Sequence, residues 1–123
     1  KNNGLIVLKL INDKLVSSVH DISSGGLIIA LAEMTFKSGY GVKLDKPKKL
    51  TNLMEYYFSE DQGRYLIEIE LVNLEKVNKI LDESNIFNEI IGTVQKDYFE
   101  VTGELKISTN DLYKINNSWY NNF

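Results

Sequence analysis

The sequence predicts an α+β domain, built as a mixed, largely antiparallel sheet with two or three helices packed on one face. Two apolar patterns support this prediction. One is a helical stripe with the spacing i, i+3, i+4 and i+7, formed by Leu27, Ala30, Leu31 and Met34. The other is an alternation typical of a half-buried strand, with apolar side chains at Tyr65, Ile67, Ile69 and Leu71.

The first part of the chain predicts a helix, a strand and a second helix. Apolar residues recur at helical spacing over residues 5–15, and polar residues occupy positions that can face water. Residues 16–22 predict a strand that ends in a Ser/Gly loop. The second helix starts at Gly26 and is expected to end near residues 37–39, because Gly39 suits the position after a helix.

The middle of the chain predicts short elements joined by polar loops. A strand over residues 41–44 precedes a surface loop over 45–51, which contains the only proline of the sequence. One helical turn is expected over 52–57, followed by a polar loop that ends at Gly63. The alternating strand over 65–71 comes next.

The last part of the chain predicts two helices and three strands. Asn73 is expected to cap a helix over residues 74–81. The strands are predicted over residues 89–94, 98–101 and 105–107. Residues 108–111 can cap a closing helix. One face of that helix would carry Leu112, Ile115 and Trp119.

Composition excludes several classes of function. The chain has 123 residues, a net charge of −3, no cysteine and one histidine. No stripe of Lys and Arg is present to neutralise phosphates, so nucleic acid is not an expected partner. A disulfide framework, a thiolate metal site and a His cluster are also excluded. No apolar run is long enough to span a membrane, and we expect a cytoplasmic protein.

Length and sequence organisation predict one domain over residues 1–123, large enough to have its own core. The sequence starts Lys1-Asn2-Asn3-Gly4, without an initiator Met. We therefore expect this domain to be a piece of a longer multidomain chain.

The turn before the second helix is the first candidate site. A helix that begins at Gly25 and Gly26 presents unpaired N–H groups and the positive end of its dipole, which suit a phosphate. Ser23 or Ser24 can equally cap the helix, and the glycines can simply permit the turn. Asp21 opposes a bare phosphate because the two anions repel. From the residues alone, an anion site and an ordinary helix start both stay open.

The titratable residues form no evident acid–base pair. His20 stands alone at a strand end, where a hydrogen-bonded structural role is commoner than catalysis. Glu60 and Asp61 are adjacent and point in different directions in an extended chain, so a solvated loop is the simpler interpretation. Arg64 can pair with either carboxylate.

Two blocks of sequence resemble a known enzyme family. The run HDISSGGL at residues 20–27, followed by ALAEM at 30–34, is similar to the signature of phosphoribosylformylglycinamidine synthase, in the last of its four domains. The run FSEDQGR at residues 58–64 is similar to the F-S-E-S-x-x-R segment that follows in that domain, with Asp61 where the family has Ser. The order and separation of the blocks agree, and the resemblance covers nearly the whole chain.

The resemblance implies the reaction and the partners. Members of this family use ATP, Mg²⁺ and ammonia from a glutaminase to convert formylglycinamide ribonucleotide into formylglycinamidine ribonucleotide in purine synthesis. Their catalytic and Mg²⁺-binding residues lie in domains outside this chain, so no catalytic residue, metal ligand or cofactor bound by the fragment alone is implied here. The implied partners are the preceding domains of the same chain, a glutaminase subunit and a small bridging subunit.

The resemblance also implies roles for individual residues. Contact with a nucleotide phosphate is implied for Ser23, Ser24, Gly25 and Gly26. Substrate contact is implied for Glu60, Asp61 and Gln62. His20 and Asp21, which precede the Ser23–Gly26 loop, are further candidate site residues.

Two alternatives stay open. The domain can be a scaffold whose sheet packs against neighbouring domains, and an exposed interface would then let the isolated domain dimerise. The resembled family is part of the aminoimidazole ribonucleotide synthetase-like superfamily, and the chain can also be the C-terminal domain of another member, of the thiamine monophosphate kinase, selenophosphate synthetase or hydrogenase maturation factor type.

Overall fold

The computed structural model describes residues 2–36, 38–47, 52–118 and 120. Within this part of the chain the backbone forms five α-helices and six strands. The helices are α1 (Asn2–Asn12), α2 (Gly26–Thr35), α3 (Leu53–Phe58), α4 (Leu74–Glu83) and α5 (Thr109–Ser118). The strands are β1 (Ser18–Asp21), β2 (Tyr40–Leu44), β3 (Tyr65–Glu68), β4 (Gly92–Lys96), β5 (Tyr98–Val101) and β6 (Leu105–Ser108). None of the described helices has the length and apolar character needed to cross a membrane.

The chain forms two compact units. The first unit comes from residues 1–30 and 57–90, and the second comes from residues 31–56 and 91–123. The prediction that residues 1–123 act as one domain stays a prediction.

The first unit combines a two-stranded sheet with a helical core. Strands β1 and β3 pair antiparallel, with Val19 opposite Ile67 and Asp21 opposite Tyr65. The core of this unit is a cluster of buried side chains from α1, the loop after it and α4, namely Leu10, Leu15, Val77 and Leu81. Burying a side chain of this size stabilises a fold by about 1.5–3 kcal/mol. The cluster therefore holds α1 and α4 together.

The second unit contains a four-stranded mixed sheet. Its strand order is β4-β2-β5-β6, in which β2 and β5 run parallel and the other neighbours run antiparallel. Its two central strands bury alternate side chains, namely Val42, Leu44, Phe99 and Val101.

The α+β class and the largely antiparallel pairing are confirmed. The described strands divide between two sheets, because β1 and β3 pair with each other and the remaining strands pair among themselves. Each of the five α-helices of the described residues corresponds to a helical segment that was predicted from the sequence.

The first helix starts and ends three residues before the predicted bounds of 5–15. Lys14 has a left-handed backbone, with φ 54°. The N–H of Leu15 donates to the carbonyl of Leu10, and that of Lys14 donates to Ile11, each at 3.0 Å. This pair of bonds is a Schellman motif, which ends a helix and satisfies its last carbonyls. Helix spacing alone does not reveal it.

Two predicted strands differ from the structure by three residues at one end. The strand predicted over 65–71 ends at Glu68, because the chain turns into a 3₁₀ helix over Leu71–Asn73. The strand predicted over 89–94 runs over Gly92–Lys96, where all five residues pair with β2.

Of the two predicted helix caps, one is wrong and one is confirmed. Asn73 does not cap α4 with its side chain, because its own backbone is already helical (φ −95°, ψ −10°) and its side chain makes no capping hydrogen bond. The predicted cap of the closing helix is confirmed, since the Ser108 Oγ accepts the N–H of Asp111 at 3.0 Å. Two predictions involve residues outside the described ones. Lys37 belongs to the predicted end of the second helix, and Trp119 belongs to the predicted apolar face of the closing helix.

Candidate functional site

The two blocks of the candidate site meet in the first unit. Antiparallel pairing of β1 with β3 places the turn after Asp21 beside the loop that precedes Tyr65. The Ile22 N–H also donates to the Arg64 carbonyl at 3.0 Å, which extends this pairing by one step. An open cleft of about 340 Å³ lies between the loops, lined by Asp21, Ile22, Ser23, Ser24, Glu60, Gln62, Gly63, Arg64 and Tyr65.

The cleft contains five of the nine sequence-predicted site residues, namely Asp21, Ser23, Ser24, Glu60 and Gln62. The other four, His20, Gly25, Gly26 and Asp61, do not line it. No contact with a substrate or nucleotide tests any of these nine residues, so their roles stay predictions.

The glycine pair gives the turn its shape. Gly25 and Gly26 have φ values of +81° and +70°, in the left-handed region that favours glycine. A Cβ on Gly26 would lie 2.6 Å from the carbonyl carbon of Phe58 and 2.8 Å from the oxygen of Tyr57. The start of α2 therefore packs directly on the backbone at the end of α3. Glycine at this position is required by packing, with or without a ligand.

Both glycine N–H groups already have acceptors within the chain. The N–H of Gly25 donates to the Glu60 Oε1 at 2.7 Å. The N–H of Gly26 donates to the Ser23 carbonyl at 3.0 Å. A carboxylate at the N-terminus of a helix is stabilised by the helix dipole. The Glu60 carboxylate thus lies at the start of α2, where the sequence predicted a possible phosphate site.

A second network keeps Asp61 in the 59–64 loop. The Arg64 Nη1 donates to the Ser59 Oγ at 2.9 Å, and this hydroxyl donates to the Asp61 Oδ2 at 3.0 Å. The Arg64 Nη1 is also 3.6 Å from the Asp61 Oδ2. Asp61 is largely exposed, so the ion pair itself contributes little to stability. The main effect of this network of Arg64, Ser59 and Asp61 is to fix the shape of the 59–64 loop.

A hydrogen bond from Asn3 connects α1 to this loop. Its Nδ2 donates to the Gly63 carbonyl at 2.9 Å. Neither Asn3 nor Tyr65 was identified as part of the site from sequence. The signal for Tyr65 is its position opposite Asp21 in the β1–β3 register, which becomes visible only once the two strands are paired.

The His20 ring lies beside the next residue of the chain, Asp21. Its Nδ1 lies 2.6 Å from the backbone oxygen of Asp21 and 3.9 Å from the Asp21 Oδ1. The ring is thus held beside its own neighbour at the end of β1, which suits the structural interpretation of this residue.

The charge of the cleft disfavours a free phosphate. Asp21 and Glu60 contribute two carboxylates, and Arg64 contributes one guanidinium group. Like charges in a shared site repel, so a polyanion would be opposed there. Within the described part of the chain, no three His, Asp or Glu side chains are grouped as ligands for a metal ion.

Comparison with known proteins identifies relatives of the whole chain. Residues 3–104 match the family described as AIR synthase related protein, C-terminal domain. Over 123 residues the chain is 44% identical to the phosphoribosylformylglycinamidine synthase subunit PurL of Pelagibacter ubique, and it is 38% identical over 126 residues to that of Bartonella bacilliformis. In both cases the match covers 100% of this chain and 17% of the relative.

Solved structures of Thermotoga maritima proteins share the fold. PurL complexed with FGAR superimposes with a TM-score of 0.78 at 17% identity, covering 91% of this chain and 20% of that one. A structure of PurLQS gives a TM-score of 0.78 at 18% identity and covers 92% and 21% of the two chains. Structures of T. maritima PurL complexed with ATP and with ADP give TM-scores of 0.77 and 0.78.

Proposed function

Because this chain belongs to the family of AIR synthase related protein C-terminal domains, we propose that it is the C-terminal domain of the synthetase subunit of phosphoribosylformylglycinamidine synthase. The observation that carries the proposal is the 44% identity to a PurL subunit over all 123 residues. The parent would be an ATP-dependent ligase that uses ammonia to convert formylglycinamide ribonucleotide into formylglycinamidine ribonucleotide. Since the chain spans 17% of such relatives, the activity belongs to the parent polypeptide.

Within that enzyme we assign this chain an architectural role beside a ligand site. Ser23, Ser24 and Gln62 line the open cleft, where they would border a ligand held by other domains. Gly25 and Gly26 shape the turn, and their N–H groups bind acceptors of this chain. A phosphate could reach the Gly25 N–H only by displacing Glu60.

The donor set does not fit a resident Mg²⁺ ion. Magnesium takes six oxygen ligands in a near-octahedral arrangement, commonly with one or two carboxylates beside substrate phosphates. The described residues offer no group of three or more acidic or histidine side chains that could hold the ion without a ligand phosphate, and one oxygen of the Glu60 carboxylate already accepts the Gly25 N–H. We therefore assign ATP and Mg²⁺ to the preceding domains of the parent. The T. maritima PurL complexes with ATP and ADP support nucleotide binding by the parent.

The proposal also covers the assembly. We propose that the parent acts in the cytoplasm, in a complex with a glutaminase subunit and a small bridging subunit. The structure of PurLQS from T. maritima, which shares this fold, supports an assembly of this kind.

The test of this function uses the full-length parent. ADP release is measured with ATP, Mg²⁺ and ammonia, with and without formylglycinamide ribonucleotide. We expect release that depends on this substrate. Consumption of ATP that depends instead on thiamine monophosphate, with ADP as product, or on selenide, with AMP as product, would assign the chain to another member of the superfamily.

Variants of the parent test the architectural role. Ser24→Ala and Glu60→Gln are compared with Asp82→Asn, a change on the exposed side of α4. We expect kcat values within about twofold of the unmodified parent for all three variants, because none of these groups would stabilise the transition state. A loss of about tenfold or more in Ser24→Ala or Glu60→Gln alone would show a direct role in the reaction.

A further inference from the structure

Helix α1 is apolar on both of its sides. Ile6 and Leu10 face the core cluster of the first unit. On the opposite side, Leu5, Leu8 and Ile11 expose 62%, 53% and 46% of their surface. Lys9 is the only charged residue in the helix. A helix that is apolar all round is typical of a buried position with partners on more than one side.

Helix α4 of the same unit shows what a water-facing helix looks like in this protein. Its buried stripe contains Val77 and Leu81, which belong to the same core cluster as Leu10. Its exposed positions are all charged, namely Glu75, Lys76, Lys79, Asp82 and Glu83. The outer side of α1 carries one charge, that of the exposed Lys9, and the exposed Asn12 beside its three exposed apolar side chains. Composition thus distinguishes the two helices, although both leave one side uncovered.

We propose that the outer face of α1, formed by Leu5, Leu8 and Ile11, docks against an apolar, uncharged surface of another domain of the parent polypeptide. A hollow of about 130 Å³ beside this face, lined by Asn2, Leu5, Ile6 and Ser84, can admit a projecting side chain of that domain. The inference rests on the proposed function, since it requires a multidomain parent. In this proposal a helix face makes the contact with the other domain, whereas the scaffold alternative stated from the sequence placed that contact on the sheet.

The length of the relatives favours this occupant over a second copy of the chain. The chain covers 17% of the PurL relatives, so a parent of similar length holds more than four fifths of its residues outside this chain. A surface tethered in the same polypeptide has an effective concentration on the order of millimolar. A second copy must instead associate from solution and lose translational freedom.

Cysteine labelling of the native full-length parent tests the contact. This part of the sequence contains no cysteine, so single cysteines are placed by Leu5→Cys, by Leu8→Cys and, as a control on α4, by Lys79→Cys. The Lys79 side chain is 76% exposed. The maleimide probe is added, and labelling of the corresponding peptide is followed by mass spectrometry. Each native rate is divided by the rate of the same variant in urea.

We expect this ratio to be at least about tenfold lower at positions 5 and 8 than at position 79, because a contact closed in nine molecules of ten slows labelling by that factor. Equal ratios at the three positions would overturn the proposal. Protection that disappears on dilution would overturn it too, since a second copy would then be the occupant. The ligase assay is separate, so failed docking is distinguished from a wrong function.

Discussion

Replacing Gly26 with alanine tests the packing at the start of α2. Gly26 has φ +70°, and an added Cβ would lie 2.6 Å from the Phe58 carbonyl carbon and 2.7 Å from its Cα. These are backbone atoms, which cannot rotate away as a flexible side chain can. Gly63 is a matched control in the same unit, because its φ is +78° and nothing lies within 4 Å of its added Cβ.

The expected losses follow from two separate costs. A left-handed backbone costs an L residue about 1–2 kcal/mol, and both variants incur this cost. Forcing extra atoms into a packed site costs a further 1–3 kcal/mol or so, and only Gly26→Ala incurs it. We therefore expect the free energy of unfolding to fall by about 2–5 kcal/mol in Gly26→Ala and by about 1–2 kcal/mol in Gly63→Ala.

Urea unfolding followed by circular dichroism measures both losses. The comparison requires similar m-values, since a changed m-value signals a changed denatured state or a loss of two-state behaviour. If the two variants lose the same free energy within about 0.5 kcal/mol, the close approach of Phe58 to Gly26 is refuted.

Substitutions at three further residues test two hydrogen bonds and one backbone conformation, each through the free energy of unfolding. Glu60→Ala should lower it by about 1 kcal/mol, because the Gly25 N–H loses its carboxylate acceptor, and Glu60→Gln should lower it about half as much. A larger loss in the glutamine variant would contradict this assignment. Ser108→Ala should cost about 1 kcal/mol by removing the cap of α5, and unchanged unfolding midpoints would argue against the cap. Lys14→Gly should raise stability by about 0.5–1 kcal/mol, because glycine adopts φ 54° without strain. A lower melting temperature would contradict that expectation.

The sequence predicted most elements because their signals are local. The stripe from Leu27 onwards and the apolar spacing over residues 74–81 each lie within one helix, where spacing directly reports burial. The end of α1 was missed because Lys14 is not a residue type that marks a left-handed position, unlike glycine. The two sheets were merged into one because strand pairing joins residues far apart in sequence, such as Val19 and Ile67.

The candidate site was predicted in part through the two resembling blocks. The structure brings the two blocks together, since Asp21 pairs opposite Tyr65 and both loops line one cleft. The hydrogen bond from Gly25 to Glu60 was not predicted, because it joins residues 35 positions apart and depends on the conformation of the 59–64 loop. That loop is fixed by contacts of Arg64 and Asp61 that sequence spacing cannot specify.

The Glu60 carboxylate bears directly on the two interpretations of the glycine turn. The positive end of a helix stabilises any nearby anion, whether it belongs to a ligand or to the chain itself. Here the anion at 2.7 Å from the Gly25 nitrogen is the chain's own Glu60. A phosphate at the Gly25 N–H would have to displace this carboxylate and would then lie near Asp21, with Arg64 as the one cationic side chain that lines the cleft. The dipole of α2 therefore acts first to hold the 59–64 loop against the turn, which favours an architectural role over direct phosphate binding.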